Sequence, residues 1–98
     1  MIVRIVKLHF KKENIASFEQ LFEETKEVIR NFDGCSLLEL YQDTKDPAVF
    51  FTYSYWASEK HLEAYRQSDF FKHVWSRTKL LFDDRPQAWS VKKVHAFN

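Results

Sequence analysis

The stretch Val49-Phe50-Phe51-Thr52-Tyr53-Ser54-Tyr55-Trp56 decides the fold of this chain. Its β-branched and aromatic residues are typical of a strand. Successive side chains of a strand point to opposite faces of the sheet, and here both alternating sets are largely apolar. One set is Val49, Phe51, Tyr53 and Tyr55, and the other is Phe50, Thr52, Ser54 and Trp56. We therefore expect a central strand that is covered on both faces.

The segments around this strand predict three more strands, at residues 2–10, 35–42 and 87–97. In the first of them, Val6, Leu8 and Phe10 alternate with a second apolar set that begins with Val3 and Ile5. The turn-forming cluster at residues 43–47 separates the second strand from the third, which predicts a hairpin.

Two regions have the spacing of amphipathic helices. Between the first two strands, apolar residues recur every three or four positions over about five turns: Ile15, Phe18, Leu21, Phe22, Val28, Ile29 and Phe32. Gly34 follows and is expected to be a left-handed C-cap. After the third strand, Ser58 is expected to cap a short helix through Gln67, and Ser68 or Asp69 the next helix, which ends at residues 83–86.

The predicted order is β-α-β-β-α-β, which is the ferredoxin-like split βαβ arrangement. The fold class is thus α+β with a four-stranded antiparallel sheet. No linker or internal repeat interrupts the chain, so residues 1–98 are expected to form a single domain.

The two faces of the sheet are expected to have different partners. One helical layer covers only one face, which leaves Phe51, Tyr53 and Tyr55 on an apolar patch that monomers avoid. A homodimer formed through this open face would cover the patch.

The helix-facing side of the third strand suggests a binding pocket. Thr52 and Ser54 are small where a packed core would favour branched aliphatic residues, so they leave room between Phe50 and Trp56. An apolar cavity with a few polar groups is typical of a small-molecule site. The alternative is that large neighbouring side chains fill this space.

Charge and composition exclude several classes of function. The chain has 15 basic and 14 acidic residues, so no charge footprint suggests nucleic acid or an anionic membrane. The first residues lack a signal-peptide core, no apolar run approaches the roughly 18 residues of a membrane span, and Cys35 is the only cysteine. We expect a cytoplasmic protein. Neither a metal-ligand cluster nor a glycine-rich phosphate loop is present, so no metal or cofactor is predicted.

His73 is the candidate catalytic residue. It precedes Trp75 on the second helical region and could move protons at a cavity. The alternative is a surface histidine beside Lys72.

The residues also resemble a known family. The motifs are Asn31-Phe32-Asp33-Gly34-Cys35 before the second strand and Phe50 to Trp56 followed by Ala57-Ser58-Glu59, with Leu62, Tyr65, Ser68 and Phe71 after them. Together they are similar to the antibiotic biosynthesis monooxygenase domain, including quinol monooxygenase-like proteins. The resemblance implies a dimeric α/β barrel and a cofactor-independent oxygenase, in which a deprotonated phenol or quinol reacts directly with molecular oxygen.

The resemblance also bears on single residues. Trp56 matches the strand-end tryptophan that lines the pocket of polyketide-oxidising members, but Thr52 stands where those members have asparagine. Haem-degrading relatives have an asparagine on the first strand, which is absent here, and Tyr65 and Trp75 stand near their tryptophan and histidine. Haem degradation is therefore disfavoured. The expected substrate-binding residues are Thr52, Ser54, Trp56, Tyr65 and Trp75, and the second hypothesis is a non-catalytic dimeric protein that binds a small molecule in the same pocket.

Overall fold

The computed structural model describes all residues from Met1 to Asn98. The elements are β1 (Ile2–His9), α1 (Ile15–Arg30), β2 (Cys35–Gln42), β3 (Val49–Trp56), α2 (Glu59–Arg66), α3 (Asp69–Lys79) and β4 (Gln87–Val91), with a 3-10 turn at Lys12–Asn14 before α1. The strands form one antiparallel sheet in the order β2-β3-β1-β4. The predicted α+β ferredoxin-like fold is confirmed.

The last strand is shorter than its sequence predicts. β4 ends at Val91, whereas the apolar pattern continues to Phe97. Val91 pairs with Val3, and β1 begins only one residue before Val3, so the sheet offers no further partner strand beyond this point. The apolar side chains of the tail are accordingly exposed, 82% for Val94 and 95% for Phe97.

Serine side chains cap the starts of two helices, and one glycine allows the turn after α1. The hydroxyl oxygens of Ser58 and Ser68 accept the backbone N–H groups of His61 and Phe71 at the starts of α2 and α3. Gly34 has φ of +88°, a region that side chains rarely adopt, so its predicted left-handed conformation is confirmed. The prediction that it is the C-cap of α1 is wrong, because α1 ends at Arg30 and its C-cap is Asn31.

The buried core is divided into two clusters at opposite ends of β3. Leu8, Phe10 and Phe18 pack around Phe50 at one end. Cys35 and Leu62 pack around Trp56 at the other end. Six residues of strand, roughly 20 Å, separate Phe50 from Trp56. The small side chains of Thr52 and Ser54 lie in this interval, where neither cluster fills the space.

None of the helices combines the length and the apolar character that a membrane-spanning helix requires. The cytoplasmic location stays a prediction from the sequence.

Candidate functional site

A cavity of about 290 Å³ lies between the helix-facing side of the sheet and the three helices. Of its 21 lining residues, 14 are hydrophobic, a composition typical of small-molecule sites. Its floor follows from the strand register, in which Thr52 pairs with Val6 and Ser54 pairs with Arg4. The cavity therefore occupies the interval between the two core clusters.

Five of the six predicted site residues line this cavity: Thr52, Ser54, Trp56, Tyr65 and Trp75. His73 does not line it and is exposed on α3. The reason is the phase of the helix. Val74, Trp75 and Thr78 face the cavity, and at about 100° per residue a side chain two positions before Trp75 points to the opposite side. We therefore assign His73 no part in the site.

Trp56 lines the cavity and is held in place by burial and a hydrogen bond. Its side chain is 1% exposed, and its indole Nε1 donates a hydrogen bond to Ser54 Oγ at 3.0 Å. Its ring stacks on the ring of Tyr65, with centroids 4.9 Å apart and an angle of 24°. The hydrogen bond fixes the indole plane, so Trp56 presents a fixed aromatic surface.

The aromatic surface continues along α3. Tyr65 meets Phe71 edge to face at 5.0 Å. Phe71 in turn stacks nearly parallel on Trp75, with centroids 5.9 Å apart. These two residues are one helical turn apart, so both side chains lie on the cavity-facing side of α3. Trp56, Tyr65, Phe71 and Trp75 form what we call the aromatic wall.

Only some of the hydroxyl groups at the cavity are available to a ligand. Those of Thr25 and Thr78 donate to the Leu21 and Val74 carbonyl oxygens of their own helices, each at 2.8 Å. The hydroxyls of Thr52 and Tyr65 have no hydrogen-bond partner within the chain. Every fully buried side-chain polar atom does have a partner, so these two oxygens remain accessible. They are the free hydroxyls of the cavity.

Burial raises the pKa of Tyr65 well above its ordinary range, and the nearby Cys35 raises it further. The phenol therefore stays protonated at neutral pH and can donate a hydrogen bond to an oxygen atom of a ligand.

Two arginines that the sequence patterns do not indicate also line the cavity. Arg4 lies on β1 between Ser54 and Ser90, and its Nη1 donates to Ser90 Oγ at 2.9 Å. Arg66 lies on α2 and reaches the same cavity. The alternation of side chains along β1 could have predicted Arg4, because it lies on the same helix-facing side as Val6 and Leu8.

Reactive side chains elsewhere in the chain do not reach the cavity. His61 Nδ1 lies 2.7 Å from Ser58 Oγ, and its Nε2 lies 3.5 Å from Asp33 Oδ2. The Ser58 oxygen caps α2, and the Asp33 side chain is fully solvated, so Ser58, His61 and Asp33 have a structural explanation. Burial raises the pKa of the Cys35 thiol, which disfavours its reactive thiolate form. No three His, Cys, Asp or Glu side chains lie close enough together to hold a metal ion.

The fold and the cavity define the class of this protein as a ferredoxin-like α+β domain with an aromatic-walled cavity between sheet and helices. Within that class, residues 1–75 match the model of the antibiotic biosynthesis monooxygenase family. The chain belongs to this family.

Solved structures extend the likeness to the whole chain. An antibiotic biosynthesis monooxygenase has a TM-score of 0.90 at 21% identity, over 97% of this chain and 100% of that chain. A conserved protein from Methanosarcina mazei Go1 has a TM-score of 0.88 at 23% identity, over 95% of this chain and 93% of that chain. Rv0793 from Mycobacterium tuberculosis has a TM-score of 0.88 at 14% identity, over 99% and 98%. At these identities the likeness establishes the fold alone. No curated protein matches the sequence.

Proposed function

We propose that this protein is a monooxygenase that binds a small aromatic or quinol-type molecule in the cavity and oxidises it with molecular oxygen, using neither metal nor flavin. The observation that carries the proposal is the cavity of about 290 Å³, which is lined both by the aromatic wall and by the free hydroxyls of Thr52 and Tyr65. Membership of the antibiotic biosynthesis monooxygenase family supports the reaction class.

The chemistry is that of an electron-rich phenol. The phenol loses its proton to solvent as it enters the cavity, and the bound phenolate reacts with molecular oxygen at a ring carbon. One oxygen atom enters the ring as a new carbonyl group and the other leaves as water with the two hydrogens that the substrate loses. The substrate supplies all four electrons, so the overall reaction requires no other reductant.

The residues of the cavity would support this reaction in two ways. The aromatic wall stacks against the flat ring and excludes water, which strengthens every electrostatic interaction inside. Tyr65 and Thr52 donate hydrogen bonds to the phenolate oxygen, which stabilises the anion and lowers the pKa of the bound phenol.

Oxygen uptake with a panel of quinols and naphthols tests the proposal. We expect at least one member to be consumed with one equivalent of oxygen and to yield a quinone. Tyr65→Phe should slow this turnover, whereas Tyr41→Phe should not, because Tyr41 is exposed on β2 and away from the cavity. Absence of oxygen uptake with every member would overturn the proposal.

A second candidate function is a non-catalytic protein that binds a small molecule in the same cavity. The observation that favours it is that no His, Asp, Glu or Lys lines the cavity, so no general base is positioned there. Tight binding of one panel member without its oxidation would support this function.

We further propose that two copies pair through the open face of the sheet. Tyr53 on this face contacts the rings of Tyr41 and Tyr55 at centroid distances of 6.3 and 5.5 Å. Tyr41 and Trp89 are 50% and 44% exposed in the single chain. A second copy of this surface would cover these aromatic rings, while Lys7 and Glu39 on the same face supply opposite charges.

A further inference from the structure

Arg4 occupies an unusual place for a cation. It lies on a central strand, on the side of the sheet that faces the helices, in one row with Ser54 and Ser90. The neighbouring row on the same side holds Thr52, Val6 and Ala88. The register therefore directs the Arg4 side chain to the cavity, where it is one of the lining residues.

The Arg4 guanidinium has no carboxylate within 4.0 Å, although Arg66 pairs with Glu63 at 3.3 Å and Arg77 pairs with Glu24 at 3.7 Å. Its one hydrogen bond goes to the neutral hydroxyl of Ser90, which leaves most of its five N–H donors free. A partly buried cation without a counterion is unfavourable unless an anion binds there.

The charges around Arg4 increase this imbalance. Burial lowers its pKa most, and the positive charge of Arg66 lowers it further, while Glu59 and Glu63 act in the opposite direction from outside the cavity. Both arginines line the cavity and no acidic residue does. The positive charge of Arg4 is thus not balanced by any acidic residue of the cavity lining.

We propose that Arg4 and Arg66 form an anion-binding end of the cavity that selects aromatic ligands bearing a carboxylate. This inference rests on the proposed function, because it assumes that the ring of the ligand lies against the aromatic wall. The guanidinium group of Arg4 matches the planar geometry of a carboxylate, to which arginine donates two parallel hydrogen bonds. The carboxylate would supply the counterion that Arg4 lacks within the chain.

Paired probes of equal shape test the proposal by isothermal titration calorimetry. The two probes are 2-naphthoate, which carries the charge, and 2-naphthamide, which does not. We expect the wild-type chain to bind 2-naphthoate about tenfold to a hundredfold more tightly, the range for a hydrogen bond between charged groups. Equal affinity for the two probes would overturn the proposal.

Variants of the two arginines test whether they cause the preference for 2-naphthoate over 2-naphthamide. Arg4→Gln keeps a donor for Ser90 but removes the charge, so it should bring the two affinities close together. Arg4→Lys keeps the charge and should restore part of the preference. Arg77→Gln is the matched control, because Arg77 is exposed on α3 and does not line the cavity. If Arg4→Gln does not fold, as judged by circular dichroism, then Arg66→Gln on the exposed surface of α2 makes the same test.

The outcomes separate this proposal from the proposed function. A preference for 2-naphthoate that survives both Arg4→Gln and Arg66→Gln overturns the anion-binding end. Tight binding of 2-naphthamide alone also overturns the anion-binding end. It would still support aromatic binding in the cavity, and the oxygen-uptake assay would remain the test of the proposed function. Failure of both probes to bind contradicts the anion-binding end together with aromatic binding in the cavity.

Discussion

The indole Nε1 of Trp56 donates a hydrogen bond to Ser54 Oγ at 3.0 Å, and both side chains lie on the helix-facing side of β3. Both residues are buried, so this pair joins the core at one end of the strand to the floor of the cavity. A buried donor that loses its partner retains its full desolvation cost.

Ser54→Ala should therefore lower the free energy of unfolding by about 1–3 kcal/mol, because it leaves the Trp56 N–H without a partner. Urea denaturation of the two proteins measures this difference. Ser36→Ala is the control, since Ser36 is exposed on β2, and it should change stability by less than about 0.5 kcal/mol. Equal effects of the two substitutions would show that the Ser54 hydrogen bond contributes nothing.

The pKa of Tyr65 predicts a loss of stability at alkaline pH. Burial raises this pKa in the folded protein, whereas an unfolded chain releases the proton at about pH 10. Above that pH the unfolded state binds fewer protons than the folded state, so the free energy of unfolding falls as the pH rises. The slope from this one group approaches about 1.4 kcal/mol per pH unit.

Urea unfolding between about pH 9 and pH 11 measures this slope. Tyr65→Phe should make the decline shallower than in the wild-type chain. Tyr55→Phe should not, because hydrogen bonds from Tyr53 and Lys93 lower the pKa of Tyr55 and give the opposite sign. Parallel curves for wild type and Tyr65→Phe would contradict the prediction.

Much of the fold could be predicted because its signals are local. The alternation within β3 predicts Thr52 and Ser54 on one side of the sheet, and the capping chemistry of Ser58 predicts the start of α2. A cavity needs more than this, since it depends on whether large side chains from other elements fill the space. Only the packing of α1, α2 and α3 over the sheet answers that question.

The lining of the cavity differs from the sequence prediction at two residues, for separate physical reasons. His73 is close to Trp75 along the chain, but neighbours in a helix point in different directions. Arg4 is not indicated as a lining residue because a long cationic side chain is normally solvated, even where the strand parity points it inward. The register with Ser54 and Ser90, which is a property of the assembled sheet, decides its direction.

Gly34 is required for two independent reasons, which two substitutions can separate. Its φ of +88° is strained for residues with side chains, and a Cβ atom there would lie 2.5 Å from Cβ of His61. Gly34→Ala should therefore destabilise the protein by more than the roughly 1–2 kcal/mol of the backbone conformation alone. Thermal unfolding followed by circular dichroism measures the loss.

Gly34→Asn distinguishes backbone strain from the clash with His61. Asparagine tolerates the left-handed conformation better than alanine, yet it brings the same Cβ atom. We expect it to be more stable than Gly34→Ala by the backbone strain that it avoids, and still less stable than wild type because of the contact with His61. Near-wild-type stability of Gly34→Asn would mean that His61 moves away at little cost.

The proposed pairing of two copies predicts a molecular mass of about twice that of one chain at micromolar concentration. Sedimentation equilibrium measures this mass. Tyr53→Glu places a charge at the centre of the open face, beside Glu39 in the register, and should shift the mass toward one chain. Ala64→Glu is the control, because Ala64 is exposed on α2. A wild-type mass of one chain would contradict the pairing, whatever the variants do.

Thr52 offers a test in which stability and function should diverge. Its hydroxyl has no partner within the chain and lines the cavity, so the shape-conserving Thr52→Val removes no hydrogen bond from the folded protein. The free energy of unfolding should stay within about 0.5 kcal/mol of wild type or rise. A phenolic ligand that accepts a hydrogen bond from Thr52 should bind about twofold to tenfold more weakly. Calorimetric titration and urea denaturation of the same preparation measure both quantities. A loss of stability without a loss of affinity would mean that the Thr52 hydroxyl serves the fold and not the ligand.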